Sequence, residues 1–171
     1  MSHRSDELFP RLLPIANIFK DSRGSVHVLY ESSGTVLKRS SSIKGVLRGL
    51  HRQLSPSCQT KIIRVVKGRI LDFIADPDDE DEVIWYSEIG VKDEWVVIDP
   101  KFSHGFYAIE DTVFEYFCEG QYDENLEETL FIEKIVSDEL NLTDLIISNK
   151  DRSGKPFGKM IKKHTQNMIN E

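Results

Sequence analysis

Residues 44–53, Lys-Gly-Val-Leu-Arg-Gly-Leu-His-Arg-Gln, set a histidine, His51, three positions after Arg48 on a segment held by two glycines. A neutral imidazole can take a proton near neutral pH, and a planar guanidinium suits paired phosphate oxygens. Ten residues beyond His51 comes Lys61, at the head of an apolar run; farther on lie His104-Gly105 and the tyrosines Tyr116 and Tyr122, six residues apart. A base, a cation and phenols are the groups that proton transfer beside a carbonyl requires. Each also has an ordinary structural reading. A lone histidine is often a buried hydrogen-bonding group, Lys61 would serve as an exposed strand end, Tyr116 as a core aromatic, and Asp151, near Gly and Pro, as a turn former. His3, His27 and His164 belong to no such pattern.

The elements that must position these side chains are short apolar runs separated by turn residues, which predict many strands and little helix. Strands are expected at 25–30, 35–41, 45–53, 61–67, 69–76, 84–89, 94–98, 104–108 and 111–119, an even spacing that suits a sandwich or barrel. Lys67-Gly68 reads as a tight hairpin turn, because Gly accepts a positive φ at little cost. The acidic segment 77–82 reads as a solvated loop, and the basic, amphipathic stretch from Pro156, with Met160, Ile161, Met168 and Ile169, as a terminal helix packed on the barrel. In an extended strand Arg48 and His51 would point to opposite faces, unless Gly49 supplies a bend.

Composition sets the outer bounds. A chain of 171 residues can bury one proper core, so a single domain over 1–171 is expected. A net charge of -7 argues against a nucleic-acid partner, which would need a broad basic face. Cys58 and Cys118 have neither metal-type spacing nor a disulfide framework, which favours a reducing cytoplasm. No segment approaches membrane-spanning length, so no membrane partner is expected.

Six motifs in order resemble the dTDP-4-dehydrorhamnose 3,5-epimerases and related nucleotide-sugar epimerases. They are Asp21-Ser22-Arg23-Gly24, the run 44–53, Gln59-Thr60-Lys61, residues 98–106, Tyr116 with Tyr122, and Ser148-Asn149-Lys150-Asp151. The resemblance covers roughly residues 19–151. It implies an all-β, cupin-type jelly-roll barrel with short peripheral helices, and a homodimer in which N-terminal strands cross to the partner. It also implies a cofactor-independent epimerase of a nucleotide-diphosphate-linked 4-keto sugar. Under that resemblance His51 is the base, Asp151 its carboxylate partner, Lys61 the stabiliser of the enolate oxygen and Tyr116 the acid on the far face. Arg48 matches a diphosphate ligand and Arg23 a nucleotide-pocket residue from the partner subunit, while Gln53, His104 and Tyr122 match other substrate-pocket positions.

This chain departs from the family pattern at several places. Val26 and Val28 stand where an aromatic and a thymine-reading glutamate are usual, Arg52 stands in place of Phe and Lys101 in place of Gly, and the tryptophan-bearing segments usual before the aspartate are absent from 136–145. Losing a carboxylate removes an acceptor for a base N–H, which bears on the nucleotide rather than on the reaction. Two readings of other classes compete. A metal-dependent cupin oxygenase or isomerase would want two closely spaced histidines and a carboxylate, but Arg52 and Gln53 follow His51, so no metal ligand set is expected. A non-catalytic sugar-nucleotide binding module would be expected to have lost the base or the acid, and both are present.

Overall fold

A computed structural model describes residues 17–164. The strand-length runs form β1 (Asn17–Asp21), β2 (Gly24–Ser32), β3 (Thr35–Ser42), β4 (Leu47–Gln53), β5 (Thr60–Lys67), β6 (Arg69–Ala75), β7 (Val83–Gly90), β8 (Val96–Ile98), β9 (Ser103–Ala108) and β10 (Thr112–Glu119). After them come β11 (Glu127–Phe131), α1 (Glu133–Leu140), α2 (Asn149–Arg152), β12 (Lys155–Pro156) and β13 (Met160–Lys163). They make two sheets, ordered β1-β2-β3-β10-β5-β8 and β12-β11-β4-β9-β6-β7-β13. This is the expected jelly-roll barrel of the cupin type with two short helices. Among the described residues no helix is long and apolar enough to cross a membrane.

Alternation along each strand sorts side chains between the barrel interior and the outside. On β6, Phe73 and Ala75 join Leu47, Ile84 and Leu130 on the outer face of the seven-stranded sheet, where Val136 of α1 covers them. Ile70, on the other face, packs with Phe106 and with Val65 and Phe114 of the opposing sheet. The Phe106 and Phe114 rings meet edge-to-face at 4.7 Å, a contact that contributes about 0.5–1.5 kcal/mol beyond the area it buries. The interior is thus sealed by aromatics on one side of the cavity described below.

Two sequence readings are corrected. Gly68 does take a positive φ, +79°, but β5 and β6 belong to different sheets, so Lys67-Gly68 is a corner between sheets and not a hairpin. A Cβ at Gly68 would lie 2.6 Å from the Asp111 carbonyl oxygen, so the corner is packed too tightly for a side chain. The stretch after Pro156 is extended and not helical as far as it is described. β13 pairs in parallel with β7, Met160 opposite Val83 and Lys163 opposite Tyr86, because the free edge of β7 offers backbone partners that an isolated short helix would lack. Met168 and Ile169, like His3, lie outside the described residues.

Gly49 supplies the bend that the sequence required. Its φ is +94°, and the β4–β9 register shifts between Arg48 and His51. Gly105 on β9 faces it so closely that a Cβ there would lie 2.2 Å from the Arg48 carbonyl oxygen. The consequence is local and decisive for the site: Leu47 and Leu50 go to the outer core, while Arg48 and His51 both face inward.

Candidate active site

A cavity of about 320 Å³ lies between the sheets, at the small end of the range for ligand sites. β4 contributes Arg48 and His51, β5 Lys61, β9 His104, β10 Tyr116, and the β1–β2 turn Arg23. Asp151 arrives from α2. Ser148 caps that helix by accepting a hydrogen bond from the Asp151 N–H at 3.0 Å, which fixes the carboxylate in the first turn. The Ser148-Asn149-Lys150-Asp151 motif is therefore a cap that aims a carboxylate at the cavity.

His51 Nε2 lies 2.7 Å from Asp151 Oδ1, and the Asp151 side chain is only 2% exposed. Burial pushes the Asp151 carboxyl up, but the hydrogen bond from His51, with Ser148 and Arg23, outweighs it and holds the group below the usual carboxylate range. An ionised carboxylate only accepts, so His51 Nε2 carries a proton, and in the neutral imidazole Nδ1 has the lone pair. Arg23 Nη1 donates to the second carboxylate oxygen at 3.4 Å, while Nη2 of the same guanidinium donates to Asp21 at 2.7 Å. Arg23 thus lines the cavity of its own chain.

Lys61 donates from Nζ to the His51 carbonyl oxygen at 2.8 Å. Burial pushes its ammonium below the ordinary lysine value. Tyr116 stacks on Phe114 at 5.2 Å, and its phenol is pushed well above the ordinary tyrosine value, first by burial and then by the Cys118 thiol. A phenol in that state keeps its proton until a strong base, such as an enolate, calls for it. Arg48 Nε donates to Ser42 Oγ at 3.0 Å, leaving the outer guanidinium nitrogens for a ligand.

Two residues expected at the site are elsewhere. Gln53 is buried, and its carboxamide oxygen accepts the Asp123 N–H at 2.8 Å, tying β4 to the 3-10 turn at Glu124–Leu126. Tyr122 is 52% exposed and does not line the cavity. Its phenol lies by Glu127 and Lys150, a 2.7 Å ion pair that does line it. Of the departures from the family pattern, only Val26 faces the cavity; Val28 is buried in the sheet. Arg52 donates to the Lys101 carbonyl oxygen at 3.1 Å and to Glu128 at 2.6 Å, so those two substitutions meet each other away from the cavity.

Sequence reasoning missed Asp72. Its Oδ1 lies 2.7 Å from His104 Nε2, both side chains almost fully buried, which makes a second His–Asp pair at the cavity wall. The signal was present in β6, Arg-Ile-Leu-Asp-Phe-Ile-Ala, where a carboxylate inside an apolar strand demands a buried partner. Among the described residues no group of three or more His, Cys, Asp or Glu side chains is placed to hold a metal ion.

The family model for dTDP-4-dehydrorhamnose 3,5-epimerase matches residues 12–159. A dTDP-4-dehydrorhamnose 3,5-epimerase of Shigella flexneri is 32% identical over 126 residues, 69% of this chain and 68% of the relative. One from Methanothermobacter thermautotrophicus is 29% identical over 159 residues, 82% and 85% of the two chains. The crystal structure of the enzyme of that name from Sulfolobus tokodaii superposes with a TM-score of 0.62 at 31% identity, covering 81% of this chain and 85% of its own. A match over that much of the sequence, on a shared barrel, means that the chain belongs to the dTDP-4-dehydrorhamnose 3,5-epimerase family.

Proposed function

We propose that the protein is a cofactor-independent epimerase that inverts C3, C5 or both in a nucleoside-diphosphate-linked 4-keto sugar, in the biosynthesis of a deoxysugar. The observation that carries this reading is the 2.7 Å contact of His51 with a buried, ionised Asp151 in a cavity whose other walls bear Lys61 and Tyr116. His51 Nδ1 takes the proton from the carbon next to the C4 carbonyl. The electron pair of that C–H bond moves to the C4 oxygen as an enolate, and the Lys61 ammonium stabilises the new charge. Asp151 stabilises the imidazolium. Tyr116 returns a proton to the opposite face, and the carbonyl re-forms with inverted configuration. Protons balance, since one is removed at the carbon and one is delivered to it.

Arg48 and Arg23 are assigned to the diphosphate and nucleotide end of the cavity, which suits two arginines there. His104, set by Asp72, is assigned to the sugar end. Two free thiols, Cys58 and Cys118, suit a cytoplasmic enzyme. A homodimer through β1 is part of the same reading. That edge strand is exposed along its whole length, with Ile18 51% and Phe19 62% accessible, an apolar edge that a second copy would cover.

Incubation with a panel of nucleotide 4-keto sugars in heavy water, the dTDP-linked sugar first, tests the reaction. Deuterium at C3, C5 or both is expected by NMR, and no exchange with any member would sink the epimerase reading. In the same assay Tyr116→Phe should slow inversion by about 10²-fold or more while proton removal survives better, since only the returning proton is lost. Equal loss of both would make Tyr116 structural.

A further inference from the structure

The two arginines of the cavity are held differently. Arg48 uses one nitrogen, Nε, on Ser42 Oγ. Arg23 has a carboxylate at each of its three nitrogens: Nε and Nη2 donate to Asp21 Oδ2 at 3.1 and 2.7 Å, and Nη1 donates to Asp151 Oδ2 at 3.4 Å. The β1–β2 turn is built for this grip, since Asp21 Oδ1 also accepts the Arg23 backbone N–H at 2.8 Å and closes the turn. Asp151 is thereby shared. One of its oxygens takes His51 and the other takes Arg23, and the carboxylate between them is 2% exposed.

A carboxylate stabilises a neighbouring imidazolium by its charge, and a second cation on the same carboxylate opposes that effect at short range, in a site where water screens little. We propose that Arg23 is a positioning residue for His51: by holding the second oxygen of Asp151 it keeps the carboxylate aimed at the imidazole, and it makes His51 take up a proton less readily than Asp151 alone would. This rests on the reading of His51 as the base, for which a ring that stays neutral to lower pH is an advantage. The other titratable and charged groups around the pair come from every wall: Glu127 of β11 with Lys150 of α2, Lys61 of β5, Arg48 of β4, Tyr116 of β10, and His104 of β9 with its Asp72. They set where the ring titrates and are the same when Arg23 or Asp21 is replaced. Among the described residues, only His51 and Arg23 donate to the Asp151 carboxylate oxygens.

The test is an NMR titration of the ligand-free protein with ring-labelled histidine, in which the His51 signal is identified among the five histidines by its loss in His51→Asn. Removing a positive charge beside an imidazole favours its protonated form, so in Arg23→Gln the His51 midpoint should rise by about one pH unit. Asp21→Asn, a change at a side chain 47% exposed, releases Arg23 to bear on Asp151 alone and should move the midpoint down, a sign that general damage to the fold would not produce. In the double variant Asp21→Asn should add little, because its effect runs through Arg23. His164, beyond β13, should hold its midpoint throughout. An unmoved or lowered His51 midpoint in Arg23→Gln would overturn the proposal. So would an equal move at His164, or an Asp21→Asn effect as large without Arg23 as with it. The titration needs no substrate: absence of deuterium exchange in wild type would remove the base reading, whereas unmoved midpoints in an enzyme that exchanges would remove only the role of Arg23.

Discussion

His51→Asn should lower deuterium exchange into a 4-keto sugar nucleotide by roughly 10²–10⁴-fold at every exchanging carbon, the range for loss of a positioned general base. Asparagine is the informative replacement. Its amide can still donate to Asp151, so the buried carboxylate keeps a partner in addition to Arg23. His51→Ala removes that donor as well and should cost about 1–3 kcal/mol of stability on top of the lost activity. Affinity for the nucleoside diphosphate should change little in His51→Asn, because Arg23 and Arg48 are assigned to that end of the cavity. Exchange at one carbon that persists in His51→Asn would show a second base at work, and His104, paired with Asp72, would be the residue to test next.

Lys61→Met should reduce inversion by about 10²–10³-fold, the usual loss when one preorganised stabiliser of an oxyanion is removed. A pH profile makes the expectation specific. Burial holds the Lys61 ammonium below the ordinary lysine value, so it loses its proton at a lower pH than an exposed lysine would. The proposed mechanism needs the charged form. The alkaline limb of activity should therefore fall below the ordinary lysine range, and Tyr116 does not supply that limb because its phenol is pushed upward. Lys61→Arg, which stays charged, should recover part of the rate and lose the limb. Stability should move the other way: between the folded and ordinary lysine values the unfolded chain holds more protons, so the folded state gains as pH rises through that window. A limb unchanged in Lys61→Arg would assign it to another group.

The barrel was legible because its central strands are long, alternating and bounded by turn residues, and β2 through β10 lie where the pattern put them to within a few residues. The strands that escaped lack that pattern. β11 begins with two glutamates, β12 is a Lys-Pro dipeptide, and β13 carries two lysines; each is extended because a neighbouring edge needs pairing, which no local window contains. The corner at Gly68 was misread for a related reason, since a glycine between two strands looks the same whether the strands pair or part. The His51–Asp151 pair spans 100 residues and came from the family resemblance, not from spacing. Gln53 and Tyr122 were carried over the same way, and their side chains turn instead to Asp123 and to the Glu127–Lys150 pair. Asp72 left a local sign, a carboxylate flanked by apolar residues, whose meaning depended on knowing which face was inward.

Both margins of the seven-stranded sheet are supplied by β12 and β13, which leave the ribosome after every strand they cover. Until they emerge, the outer edges of β11 and β7 present unpaired N–H and C=O groups to any passing chain. Until residue 151 emerges, His51 has no carboxylate beside it. A nascent chain is therefore adhesive over the same interval in which the His51–Asp151 contact is unmade. A chain stalled there is material for chaperones.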